Sequence, residues 1–314
     1  MEIDIRAIKD RLFSNETVRS RIARDFGLAD IPIDADEFAA DVLNKLEQRP
    51  SPNPLDQKFS NAEVFRAAVR ALGSNQRKWA DYLGNESRIA EVLCGFDPDE
   101  ASKCALVENI ARWLPGQSSN ADARAIMDWA RLLAGGSNYY QSIKHLGTAF
   151  RSLSLNDHNE PLTDAELLLC IVGYLGKPPS RWAGAVYLDS VVRELPYDHW
   201  KTRGMGYVLV SEFLRNLGWN GFKPDRHIAR LFSRWLPDQG PVVLGRVHRL
   251  ESLIGCTAKP LESYLRYSLI GNSVAPSDLP LSQVDNLVWL LGAYVERKGL
   301  ESTDRYLTTK AMAA

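Results

Sequence analysis

The chain is short of cysteine, of histidine and of long apolar runs, and each shortage removes a class of function. Its four cysteines, Cys94, Cys104, Cys170 and Cys256, are scattered over 314 residues, and no two make a C-x-x-C pair. A zinc site or iron–sulfur cluster built on cysteine spacing is therefore not expected. Cys94 and Cys170 fall within apolar helical patterns, so the thiols read as buried side chains in a reducing compartment. No pair among the five histidines has metal-ligand spacing, and no catalytic metal is expected. No apolar run approaches the roughly 18–20 residues that cross a bilayer. The N-terminus MEIDIRAIKDRLF is charged throughout, unlike a signal peptide. These features together give the expectation of a cytoplasmic protein with no membrane partner.

Period-2 alternation is also missing, and helical periodicity takes its place. Phe65, Ala68, Val69 and Leu72 fall at i, i+3, i+4 and i+7. The same spacing recurs at Leu188, Val191, Val192 and Leu195, at Ile228, Leu231, Phe232 and Trp235, and at Val284, Leu287, Val288 and Leu291. Each set makes one apolar stripe on a helix, so the fold class is all-α. Three prolines in Gln48–Leu55 (QRPSPNPL) read as a linker or strap. It divides the chain into an N-terminal helical extension, residues 1–58, and a main helical body, residues 59–314.

Charge is balanced overall at −1 but unevenly spread. Residues 1–60 hold 9 Lys/Arg and 12 Asp/Glu, whereas residues 177–250 hold 12 Lys/Arg and 6 Asp/Glu. A basic third on a neutral chain fits either a polyanion-binding face or an ordinary solvated surface.

Inside that basic third lies TRGMGYVLVSEFLRNLGWNGFKPDRHIARLF, residues 202–232. A helix ending near Trp200 leads into Gly204-Met205-Gly206, which opens an apolar helix at Tyr207. Glycines permit a tight turn and close approach by another molecule. The amides at the next helix start, with the helix dipole, suit an anion such as a DNA phosphate. Lys201 and Arg203 add charge beside it. A dinucleotide fingerprint is excluded, because it needs a preceding strand and a third glycine. A purely structural helix–helix turn fits the two glycines equally well. Asp225 follows Gly206 by 19 residues, at the start of the next helix, where it is also a good N-cap.

The G-x-G hairpin, the helix Tyr207–Leu217, a short loop and Pro224-Asp225-Arg226-His227-Ile228 together resemble the helix-hairpin-helix DNA glycosylase superfamily. The detailed resemblance covers residues 185–235 and a looser one residues 60–295. It implies two helical subdomains with a cleft between them, with hairpin and catalytic segment at 186–236. It makes Asp225 the catalytic carboxylate, which stabilises positive charge on the sugar and orients a water as the base departs. Bifunctional members carry a lysine two residues after the second glycine, where this chain has Val208, which cannot form a Schiff base. The resemblance therefore implies a monofunctional enzyme: base removal from double-stranded DNA, no lyase step, no cofactor beyond a monovalent cation that the hairpin carbonyls can hold, and action as a monomer. Substrates would be the alkylated or deaminated bases of excision repair, or a hypermodified phage base such as glucosylated hydroxymethylcytosine in antiphage defence.

Such an enzyme flips its base out of the duplex and fills the gap. The family places a polar residue after an early helix, and the counterparts are Asn75 and Gln76. A flipped base stacks on aromatic rings, for which Trp182, Tyr187, Trp129, Tyr139, Tyr140 and Tyr174 are candidates, with Trp182 foremost. His227 and His199 are candidate contacts to the DNA backbone, and a satisfied structural histidine is the plainer role for His227. Two rivals remain open. A non-catalytic helix-hairpin-helix DNA-binding protein keeps the hairpin with no need of Asp225. A helical scaffold makes both features coincidental.

Overall fold

A computed structural model describes residues 2–28, 34–46, 50–51, 53–158, 160–177, 202–296 and 307–308. The regular structure among these residues is helical apart from one two-residue strand pair. Three helices come first, α1 (Ile5–Ser14), α2 (Glu16–Phe26) and α3 (Ala35–Leu46). Then follow α4 (Asn61–Gly73), α5 (Trp79–Val92), α6 (Pro98–Cys104), α7 (Val107–Arg112), α8 (Ser119–Leu133), α9 (Tyr139–His158) and α10 (Asp164–Leu175). The last group is α11 (Tyr207–Arg215), α12 (Arg226–Trp235), α13 (Gln239–Ile254), α14 (Lys259–Val274) and α15 (Leu281–Leu290), which runs on into a single π turn, Leu291–Glu296. No helix among them is long and apolar enough to cross a membrane.

The apolar stripes become the core. Phe65, Ala68, Val69 and Leu72 of α4 are fully buried, as are Ile228, Leu231, Phe232 and Trp235 of α12 and Val284, Leu287, Val288 and Leu291 at the end of the chain. Burying each of the larger of these side chains contributes about 2 kcal/mol. The stripe Leu188–Leu195 lies outside the described residues. At the centre is α10, whose residues Glu166 to Leu175 are all buried, as expected for a helix apolar on every side. Its start is fixed by a capping box in which Thr163 and Glu166 satisfy each other's backbone N–H groups. Around it pack α9, α11, α13 and α14, while α4 packs on α8 and α11.

The described helices of residues 1–58 pack against the body. α1 lies against α15, and α2 lies against α5 and the π turn. Glu2–Ile3 pairs antiparallel with Leu307–Thr308. The proline strap is also fastened down: Ser51 N–H donates to Gly218 O at 2.8 Å and Tyr140 Oη–H to Pro54 O at 2.7 Å.

Two side-chain expectations are corrected. Cys94 is exposed, because α5 ends before it and the chain turns through left-handed residues at Cys94 (φ 51°), Gly95 (φ 70°) and Phe96 (φ 66°). Its Sγ lies 3.0 Å from that of Cys104, which is exposed too. Cys170 and Cys256 are buried. Trp129, Tyr139, Tyr140 and Tyr174 are core residues, each at most 1% exposed, so none offers a ring to a ligand.

Candidate active site

The hairpin is built from the inside outward. Thr202 Oγ1 donates to Leu175 O at the end of α10, Trp129 Nε1 donates to Arg203 O at 3.1 Å, and Met205 N–H closes the turn onto Thr202 O. Gly204 sits at φ +69°, and a Cβ there would lie 2.5 Å from Ala125 Cβ, so the turn requires glycine. Gly206 differs: its φ is −92° and a Cβ would meet nothing within 4 Å. Nothing within the described chain demands glycine at 206. It is the N-cap of α11 and supplies no side-chain cap to the first turn of that helix.

The candidate backbone-contact residues divide. Gly204 and Gly206 are exposed. Arg203 is half-buried, and its charge acts on the buried Tyr139. Met205 is buried at 3% exposure, so its side chain anchors the hairpin in the core and only its backbone could serve a phosphate. His227 is likewise buried, its Nδ1–H donating to Gly292 O at 3.2 Å. Burial holds its pKa below the ordinary 6.5 despite the nearby Asp225. Its ring is engaged within the fold, as expected of a structural histidine, while the residue also lines the cleft described next. Lys201, Trp182, Tyr187 and His199 lie outside the described residues.

Asp225 caps α12 with one oxygen. Its Oδ1 accepts from His227 N–H at 2.8 Å and Ile228 N–H at 3.2 Å. Its Oδ2 has no hydrogen-bond partner among the described residues. Asp225 is half-buried and lines a cleft of about 540 Å³. The cap thus fixes the carboxylate, and the second oxygen stays available to a ligand.

The same cleft is lined by the turn after α4, which brings together segments 150 residues apart. Asn75 is tied down, its Nδ2 donating to Asp122 Oδ1 at 2.9 Å. Arg77 braces the turn by donating to Asp122, Leu72 O and Gly73 O. Gln76 is exposed and held at φ +54°, a left-handed conformation that a non-glycine residue adopts at a cost of about 1 kcal/mol or more. Of the two candidates, Asn75 is the brace and Gln76 the displayed side chain.

α11 presents Val208, Leu209 and Glu212 to the cleft, one helical face. Below Asp225 lies a buried ionic network. Lys223 Nζ pairs with Glu212 at 3.0 Å. Asp285 accepts Lys223 N–H at 2.8 Å on one oxygen and Arg215 Nη1 at 2.5 Å on the other, while Arg215 Nη2 donates to Asn286 Oδ1 at 2.9 Å. Burial draws the Lys223 ammonium down, but Glu212 and then Asp225 outweigh it and leave it above the ordinary lysine value. Burial pushes Glu212 up, but Lys223 and Arg215 hold it below the ordinary carboxylate value. Asp285 is pushed up to about 7 by burial, against the pull of Arg215.

Sequence reasoning missed Lys223, Glu212, Asp285 and the cleft aromatics Trp79, Trp289 and Tyr294. Trp79 stacks on Tyr82 with the Arg70 guanidinium 5.0 Å from its ring centre, so its faces are largely occupied. Trp289 is half-buried and meets Tyr294 edge-on. Lys223 was within reach, two residues before Asp225, and Glu212 too, one helical turn after Val208. Trp289 had no local signal.

Among the described residues of the basic third, four arginines are paired with glutamates. Arg230 and Arg234 both pair with Glu296, Arg246 with Glu166 and Arg249 with Glu160. The partners come from elsewhere in the chain, so a local charge count overstated the field. Arg226, beside Asp225, is exposed. Among the described residues no group of three or more His, Cys, Asp or Glu could hold a metal ion. Comparison with protein-family models, with curated proteins and with solved structures gives no match for this chain.

Proposed function

We propose that the chain is a DNA glycosylase of the helix-hairpin-helix kind, which flips a base out of duplex DNA and hydrolyses its N-glycosidic bond to leave an abasic site. The observation that carries the proposal is Asp225, with one oxygen fixed by the helix cap and the other unpartnered at the wall of a cleft it shares with the Gln76 turn.

As the base departs, positive charge grows on the sugar. A fixed carboxylate stabilises that charge and accepts the proton of the attacking water. The first-turn amides of α11, reached past Gly206, suit a phosphate. Gln76 enters the duplex in place of the flipped nucleotide, and Trp289 offers a ring for stacking. In this reading α4–α8 and α11–α15 form two helical groups that meet at the cleft. Val208 lines the cleft where bifunctional members of that superfamily carry a lysine. Base release without strand cleavage follows. A cleft of about 540 Å³ is within the range for sizeable ligands and has room for a base bearing a substituent. A hypermodified phage base such as glucosylated hydroxymethylcytosine therefore stands beside the alkylated and deaminated bases of repair.

The test is base release from duplexes carrying alkylated, deaminated, oxidised or glucosylated bases, followed by alkali. Strand breaks that appear only after alkali, on at least one duplex, and vanish with Asp225→Asn are expected. DNA binding with no release from any duplex would instead favour a non-catalytic binding protein, in which Asp225 serves α12 only as its cap.

A further inference from the structure

Cleaving an N-glycosidic bond leaves an electron pair on the base as well as a cation on the sugar. Asp225 answers only the second need. The cations that line the cleft are the groups able to supply a proton to the base, and they differ in what already holds them.

Arg77 is committed to Asp122 and to two helix-end carbonyls. His227 is neutral, and its Nδ1–H is used by Gly292 O. Arg226 is exposed to solvent, and a guanidinium does not give up a proton; Lys78, just before α5, is an exposed lysine that no contact among the described residues aims at the Asp225 side of the cleft. Lys223 is different. It lines the cleft, its side chain is 17% exposed, and one carboxylate, Glu212, pairs with it. An ammonium carries three N–H groups, so two are left after Glu212 is served. Its backbone is fixed by the bond to Asp285, and Pro224 alone separates it from Asp225. Acid and base thus stand on one loop, both anchored from behind.

We infer that Lys223 is a second catalytic residue of this cleft, donating a proton to the departing base, with Glu212 as its positioning residue, and that the substrates are bases that are uncharged before they leave. This rests on the glycosylase reading. The step balances as follows. The C1′–N bond breaks with both electrons to the base nitrogen. Lys223 Nζ–H gives its proton to the base, water adds to C1′, and the proton of that water passes to Asp225 and returns through solvent to Lys223. The substrate class follows from the same chemistry. A base alkylated to a cation leaves neutral without any acid, and an ammonium beside it opposes its binding. A buried ammonium in the cleft is useful only for neutral bases, deaminated or substituted, whose departure requires protonation.

The test uses the full chain and single-turnover base release from duplexes carrying uracil, hypoxanthine, glucosylated hydroxymethylcytosine or, as the cationic case, 7-methylguanine. Wild type is expected to release at least one neutral base. Lys223→Met should slow that release by roughly 10²–10⁴-fold while duplex binding persists, and Lys223→Arg should restore none of it, because a guanidinium does not give up its proton. Any release of 7-methylguanine should change less than tenfold. Glu212→Gln should keep the ammonium but move the alkaline limb of the pH–rate profile to lower pH, a shift that mere loosening of the fold does not produce. A 7-methylguanine preference in wild type, equal losses on neutral and cationic bases, or an alkaline limb that stays put in Glu212→Gln would each overturn the inference while leaving the glycosylase reading intact. No release of any base by wild type would remove both.

Discussion

The backbone N–H of Lys223 donates to Asp285 Oδ1 at 2.8 Å, while the other Asp285 oxygen holds Arg215 at 2.5 Å. One buried carboxylate therefore fastens the loop that carries Asp225 to the start of α15. Asp285→Leu removes that fastening and takes the paired carboxylate from Arg215, which is only 3% exposed. Breaking a buried pair in this way costs about 4 kcal/mol, and urea denaturation should show it. Asp285→Asn keeps an acceptor for Lys223 and should lose about half as much or less.

The two hairpin glycines should fail in different ways. Gly204→Ala places a methyl against Ala125 at positive φ, and a loss of about 2 kcal/mol in stability is expected. Gly206→Arg meets open space and should melt like wild type. It should nevertheless weaken duplex binding at least tenfold in a fluorescence-anisotropy titration, because the arginine side chain blocks the approach to the α11 amides. Unchanged affinity would remove the hairpin from the binding surface.

Acid should act through Glu212. Its folded-state pKa lies below the ordinary 4.5, so the ionised form stabilises the fold at every pH above that value. The contribution fades as pH falls through the lowered pKa. Glu212→Gln leaves Lys223 buried and unpaired, and should cost about 3 kcal/mol at pH 7. Denaturation at stepped pH should show the gap between wild type and variant narrowing as pH falls below 4.5 and through the lowered pKa.

Two thiols of four should react with an aromatic disulfide reagent in the native protein, and all four after denaturation. Cys94 and Cys104 are exposed and Cys170 and Cys256 buried. The partner sulfur and burial raise Cys94 to about 11, so it should be slow near neutral pH and faster above it. Native reaction of all four would contradict the packing of α10.

The sequence was informative where function is local. The stripes on α4, α12 and α15 became core because a 3.6-residue period is a property of neighbouring residues. The turn at Gly204 and the cap at Asp225 were legible for the same reason. Contacts between distant segments were not. Trp289 reaches the cleft only because α15 packs where it does, and the arginines of the basic third find Glu160, Glu166 and Glu296 across the fold. Met205 turns inward because a residue beside a site can do so as easily as outward, and the burial of His227 agrees with its plainer structural role. Cys94 followed an apolar pattern that continued past the end of its helix.

The strand pair joining Ile3 to Leu307 sets the order in which the protein can be made. α1 waits for α15 to cover it, and the cleft takes Asp25 from α2, Leu46 from α3 and Trp289 from α15. A chain emerging from the ribosome therefore completes almost 300 residues before its cleft has all its walls. During that interval α1–α3 expose apolar faces that aggregation or a chaperone can claim. Closing so long a loop is slow, and the last of the described helices is the one that makes the first three useful.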